Sequence, residues 1–112
     1  MTDIEVKNLM NKESELNDDH YKLITLFCQT APKCDYDEKY LELFNEYHSL
    51  ANKYRSCISD IIDTYDRYVR INLLKEEGIE PPTEEDYNRC MAYDLHDEHE
   101  AVAEKMNKFK ED

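Results

Sequence analysis

The strongest constraint on the fold is the segment from Asp35 to Glu77, which contains neither glycine nor proline. Apolar and aromatic side chains recur along it at alternating spacings of three and four residues, the period of one face of an α-helix. Written as heptads, the pattern has two core positions, occupied by Tyr40, Tyr47, Tyr54, Ile61 and Tyr68 and by Phe44, Ala51, Ile58, Tyr65 and Asn72. The spacing predicts one long helix over about residues 36–77.

This helix is expected to contact more than one neighbour, because its apolar stripe is wide. The stripe is extended on one side by Leu43, Leu50, Cys57 and Ile71, and on the other by Leu41, Ile62 and Val69. Gly78 marks the end of the helix, since glycine readily takes the left-handed conformation that follows a helix C-terminus.

Two further helices are predicted on either side. Thr2 and Glu5 have capping-box spacing, leucines follow every seven residues, and Pro32 stops the pattern, which gives a first helix over about residues 3–30. The poor helix formers at residues 17–19 leave open a break there. Thr83 and Asp86 mark the start of a third helix over about residues 84–110. Its predicted inner face comprises Tyr87, Met91, Leu95, His99, Val102, Met106 and Phe109.

Composition agrees with an all-α fold. One glycine, three prolines and no tryptophan provide few turns, and 112 residues suit one domain. We expect an elongated antiparallel three-helix bundle, a single helical domain over residues 1–112. The middle helix would be about 60 Å long at 1.5 Å per residue, whereas its two partners would reach about 40 Å. It is therefore expected to extend beyond them.

Several classes of function are disfavoured by the sequence. Phosphate-binding loops need several glycines, and no serine lies in a nucleophile motif, so we expect no cofactor and no enzyme. No signal peptide or membrane span is visible, which predicts an intracellular, cytoplasmic protein. The four cysteines form no zinc motif and are expected to be reduced, with Cys28 and Cys34 the one pair placed to join.

Charge is concentrated in the last third of the chain. The formal net charge is −13, and residues 76–112 hold 13 acidic and 4 basic side chains, a net charge of −9. This predicts an acidic ridge along the third helix, formed by Glu76, Glu77, Glu80, Glu84, Glu85, Asp86, Asp94, Asp97, Glu98, Glu100 and Glu104. Such a surface disfavours direct binding to nucleic acid or anionic lipid and favours a basic partner.

The acidic ridge suggests the first functional hypothesis. Carboxylates spaced along a rod imitate the phosphates of a nucleic acid, so the ridge would occupy the basic surface of a nucleic-acid-binding protein and inhibit it. The composition, rich in Asn, Asp, Lys, Ile and Tyr, is typical of AT-rich genomes, including phage and viral ones. An ordinary solubilising surface is the simpler interpretation of the same charges.

Tyrosine suggests the alternative hypothesis, a structural or adaptor subunit. Nine tyrosines are present, and several lie on the stripe of the middle helix, where a dry coiled coil would prefer leucine and isoleucine. This interface seam, through which the chain would form a homodimer or join a complex, comprises Tyr54, Ile58, Ile61, Tyr65, Tyr68 and Asn72. His96, His99 and Glu100 have metal-ligand spacing, but no second cluster completes a site, so no metal is predicted.

Overall fold

A computed structural model describes residues 2–33, 38–74 and 78–111, without the side chains of residues 33, 110 and 111. The protein is an all-α bundle, and no strand occurs within these ranges. Helix α1 spans Asp3–Thr30 and is followed by a 3₁₀ turn at Ala31–Lys33. Helix α2 spans Glu38–Val69 and continues as a π-helical segment over Arg70–Leu74. Helices α3 and α4 span Glu84–Met91 and His96–Glu111.

The first two helices agree with the predicted ones. α1 runs without a break through residues 17–19, and the backbone N–H of Glu5 donates to the Thr2 hydroxyl at 3.2 Å, as an N-cap requires. Gly78 has a φ of 90°, which confirms the left-handed residue predicted after α2. The predicted cap at residues 35–38, the end of the helix at residues 75–77 and the pairing of Cys34 lie outside the described residues.

The third predicted helix requires a correction, because it is two helices and not one. α3 ends at Met91, and residues 92–95 separate it from α4. Met91, a predicted inner residue, is 38% exposed, and its neighbour Cys90 is fully buried instead. The Tyr93 hydroxyl donates to Asp60 at 3.1 Å. These tertiary contacts outweigh a local sequence that contains neither glycine nor proline.

The chain forms two compact units, each with its own core. The first unit comprises Met1–Glu15 and Arg55–Asp94, and the second comprises Leu16–Tyr54 and Leu95–Asp112. Buried side chains of the first unit include Val6, Leu9, Cys57, Ile61, Thr64 and Cys90. Those of the second include Leu16, His20, Leu23, Leu43, Leu50, Leu95, His99, Val102 and Met106.

The centre of the buried stripe on α2 differs from the heptad prediction. Besides Ala51 and Ile61 at predicted core positions, the buried residues of α2 are Leu43, Leu50, Cys57 and Thr64, a seven-residue series on one flank of the predicted stripe. The tyrosines at the predicted core positions are only half-buried. A phenol at the edge of a core keeps its hydroxyl within reach of a polar partner, which a fully buried position would not provide without cost.

Candidate functional site: the acidic residues and the polar cores

The predicted acidic ridge falls into segments with different surroundings. Glu76 and Glu77 lie outside the described residues. Glu80, Glu84, Glu85, Asp86 and Asp94 belong to the first unit, whereas Asp97, Glu98, Glu100 and Glu104 belong to the second. Because α3 ends at Met91, the ridge does not follow one continuous helix.

In the first unit, several of these carboxylates stabilise the start of α3. Asp86 forms a complete capping box with Thr83, and its carboxylate lies 3.4 Å from Arg67 and 3.6 Å from Arg89. The hydrogen bond from the Thr83 backbone N–H, assisted by the two arginines, lowers the pKa of Asp86. Glu84 and Glu85 lie in the first turn, where negative charge is favoured by the helix dipole. Stabilisation of the start of α3 is a sufficient explanation for these three carboxylates, and no binding partner is needed to explain them.

In the second unit, the carboxylates of α4 divide into paired and unpaired groups. Glu98 accepts from Lys53 of α2 at 3.3 Å, and Glu100 lies 3.0 Å from His96. Asp97 and Glu104 are exposed and form no ion pair within the described part of the chain. Spacings of three and four residues place Asp97, Glu100 and Glu104 on one face of the helix, opposite the buried Val102 and Met106. We call these three residues the α4 acidic face.

One histidine of α4 is held between two carboxylates. His96 Nδ1 lies 2.8 Å from Asp19 of α1, and its Nε2 lies 3.0 Å from Glu100. A carboxylate accepts hydrogen bonds, so Nδ1 carries the proton in the contact with Asp19. The negative charges of Asp19 and Glu100 on either side of the ring favour the imidazolium form. The hydrogen bond to Asp19, with further attraction from Asp19 and Glu100, raises the pKa of His96.

The raised pKa predicts a pH-dependent contribution to the stability of the second unit. The stabilisation is fully present below the unfolded-state pKa of His96, about 6.5, and is lost as the pH rises through the higher folded-state value. An NMR titration of wild type should therefore place the pKa of His96 above 6.5. Asp19→Asn should return it toward that value, and Glu100→Gln should lower it less, because Glu100 is 68% exposed and Asp19 20%. An unchanged His96 titration in Asp19→Asn would contradict the assignment.

The core of the second unit contains a pair of buried histidines. His20 Nδ1 lies 3.2 Å from His99 Nε2, and both residues are buried. His99 Nδ1 lies 2.8 Å from the Leu95 carbonyl oxygen, which can only accept, so Nδ1 carries the proton. The Nε2 of a neutral His99 is then an acceptor, and His20 Nδ1 is the donor. His20 also stacks on Tyr54 with ring centroids 4.0 Å apart.

The metal-ligand spacing noted in the sequence does not become one cluster. His99 is bonded to His20 inside the core, whereas His96 and Glu100 interact with each other at the surface. Across the described ranges, no group of three histidine, cysteine, aspartate or glutamate side chains is arranged to hold a metal ion.

The first unit has a half-buried polar group of its own, the ammonium of Lys12. Its Nζ donates to the Cys90 carbonyl oxygen at 2.7 Å, and this carbonyl lies in the last turn of α3, where backbone acceptors lack helical partners. Burial lowers the pKa of Lys12 and raises that of the nearby Cys57 thiol to about 11. A thiol with that pKa remains protonated at neutral pH and is a poor nucleophile.

A cavity of about 430 Å³ in the second unit has mixed chemistry. Its lining residues are Lys39, Glu42, Leu43, Glu46, Lys105, Lys108 and Phe109. Lys105 and Glu46 lie 2.8 Å apart, so one lysine of the lining is already neutralised by a carboxylate. Sequence reasoning missed this cavity because it depends on how α2 and α4 are paired. Its lining contains no histidine, cysteine or hydroxyl nucleophile.

The predicted interface seam is partly used inside the chain. Tyr54 donates to Asn17 in the second unit, and Tyr68 donates to Asp3 in the first. Ile61 is fully buried within the first unit and is not available to a second molecule, which corrects its assignment to an interface. Asn72 is exposed and donates to the Tyr68 carbonyl at 2.9 Å. Ile58 and Tyr65 are half-buried.

None of the described helices has a long enough apolar stretch to cross a membrane. Comparison with known proteins finds no matching family, no similar curated protein and no similar solved structure.

Proposed function

We propose that the chain is a non-catalytic binder that inhibits a nucleic-acid-binding protein by occupying its basic surface. The observation that carries the proposal is the α4 acidic face. Asp97, Glu100 and Glu104 are all exposed on one side of a regular helix, and residues 96–104 contain no lysine or arginine. Complementary charge on a partner would accelerate association and provide specificity.

The proposal is narrower than the eleven-residue ridge predicted from sequence. Asp86 is committed to the capping box, and Glu98 is paired with Lys53. On the α4 acidic face, Glu100 already interacts with His96, whereas Asp97 and Glu104 have no ion-pair partner among the described residues. These two carboxylates would therefore contribute most of the attraction.

The test is affinity capture from a nuclease-treated bacterial lysate at low salt, followed by elution with salt and, separately, with DNA. We expect the wild type to retain nucleic-acid-binding proteins that DNA displaces, because the carboxylates compete for the same basic groove. Asp97→Asn, Glu100→Gln and Glu104→Gln combined should lose them.

A matched control removes the same amount of charge elsewhere. Glu15, Asp18 and Glu42 are exposed carboxylates on α1 and α2, and a variant with all three converted to amides should capture as the wild type does. Equal losses in both variants would show that net charge alone is responsible. Equal retention in both would show that the α4 acidic face is a solvated surface.

The alternative function, a self-associating or adaptor subunit, is supported by a different surface from the seam predicted by sequence, namely one side of the α1–α2 pair in the second unit.

A further inference from the structure

The side of the α1–α2 pair that α4 does not cover has an unusual composition. In the second unit, Phe27 of α1 stacks on Tyr47 of α2 at 4.3 Å, so the two helices pack side by side. α4 lies against one side of this pair, where His96 contacts Asp19 of α1, and Lys105 contacts Glu46 of α2. The opposite side of each helix is left uncovered by α4.

Helical geometry identifies the residues on that opposite side. At about 100° per residue, Tyr21 lies about 160° around α1 from Asp19, and His48 lies about 160° around α2 from Glu46. The exposed residues of the second unit that lie about 120° or more around the helix from Asp19 or from Glu46 are Tyr21, Ile24, Thr25 and Cys28 of α1 and Leu41, His48 and Asn52 of α2. We call them the neutral face.

The neutral face differs from the rest of the surface in two respects. None of its seven residues is Asp, Glu, Lys or Arg, although these four residue types make up 37% of the sequence. It also exposes large apolar side chains, with Tyr21 71%, Leu41 47% and Ile24 39% accessible. Grouped exposed apolar residues are typical of an interaction surface.

We propose that the neutral face is the surface through which two copies of this chain associate. A two-fold symmetric contact places a surface against itself, so any carboxylate at its centre would face a second carboxylate. In a chain of net charge −13, most exposed surfaces are unsuitable for such a contact. A surface without carboxylates avoids this repulsion and offers a basic partner no ion pair. Because it also lacks lysine and arginine, it offers an acidic partner none either.

The proposal is independent of the α4 acidic face, which lies on a different helix. Two copies joined through their α1–α2 flanks would each pack a pair of helices against the other pair. Ile24 and Cys28 of α1, four residues apart, and Leu41 and His48 of α2, seven apart, have the spacings that helix–helix contacts use.

Sedimentation equilibrium on the purified full chain tests the proposal. The mass should rise with concentration from 13.5 kDa toward twice that value. Added NaCl should strengthen the association, because it screens the repulsion between copies and leaves apolar burial intact. Salt would weaken binding to a basic partner, so the two proposals can fail separately.

Two variants on different helices localise the contact. Ile24→Glu and Leu41→Glu should each weaken dimerisation by about tenfold or more, since each places a carboxylate in an apolar contact. Met91→Glu is the matched control, because Met91 is 38% exposed on α3 in the first unit and Ile24 is 39% exposed. Its dimerisation should equal that of the wild type, and circular dichroism should show unchanged helicity in all three.

A protein that remains monomeric at every concentration and salt level would overturn the proposal. So would variants of the neutral face that dimerise as the wild type does, or a control that is weakened as strongly as they are.

Discussion

Converting Asp97 and Glu104 to lysine is expected to weaken binding to a basic partner by about 100-fold at low salt. Each substitution removes one attraction and adds one repulsion, and opposed like charges at an interface cost several kcal/mol. Glu100 is left in place so that its contact with His96, 3.0 Å long, is preserved. The measurement is the dissociation constant for the protein captured by the wild type, at several salt concentrations.

Salt provides the internal check on this prediction. The wild-type affinity should fall steeply as salt rises, whereas the affinity of the double variant should depend less on salt, because fewer ion contacts form. Thermal unfolding must show that the double variant remains folded. Asp97 lies in the first turn of α4, where negative charge is favoured, so its replacement by lysine is expected to lower the stability of this helix. A folded double variant that binds as tightly as the wild type would refute the role of the α4 acidic face.

Ile61→Ala is expected to lower the free energy of unfolding by about 2–5 kcal/mol. Ile61 is completely buried in the first unit, so truncation removes apolar contacts and leaves a cavity that the surrounding helices fill only in part. Urea denaturation followed by circular dichroism gives the difference. The unfolding slope should be unchanged if the variant affects the native state alone.

The neighbouring isoleucine provides the control. Ile62 is 46% exposed, and Ile62→Ala should cost less than about 1 kcal/mol because little apolar surface returns to water. Equal losses at the two positions would mean that Ile61 is not in a core. Dimer dissociation must be excluded by repeating the measurement at two protein concentrations.

Most of the helix positions were predictable because their signals are local. Apolar periodicity located α1 and α2, and Thr83 with Asp86 marked the start of α3 as a capping box. The heptad pattern also identified the correct helix face to within one flank. It could not distinguish a central tyrosine from an edge tyrosine, because both satisfy the same spacing and differ only in what neighbouring helices cover.

The surroundings of the predicted acidic residues were less predictable, because exposure and ion pairing depend on the tertiary structure. The sequence identified where the acidic residues are concentrated, but not that Glu98 faces Lys53 or that His96 lies between Asp19 and Glu100. The end of α3 at Met91 was not predicted, because no glycine or proline marks it in the sequence. It accompanies burial of Cys90 and the hydrogen bond from Tyr93 to Asp60.

The sequence by itself determined that the chain is helical, where its first two helices lie and how strongly acidic its last third is. Each of these properties depends on residues that are close together in the chain. The tertiary structure decided that His20 and His99 meet in the core of the second unit and that the half-buried Lys12 ammonium reaches the Cys90 carbonyl. It also decided that one side of the α1–α2 pair in the second unit lacks carboxylates, lysine and arginine. These features join residues that are far apart in sequence, and only the packing of helices brings such residues together.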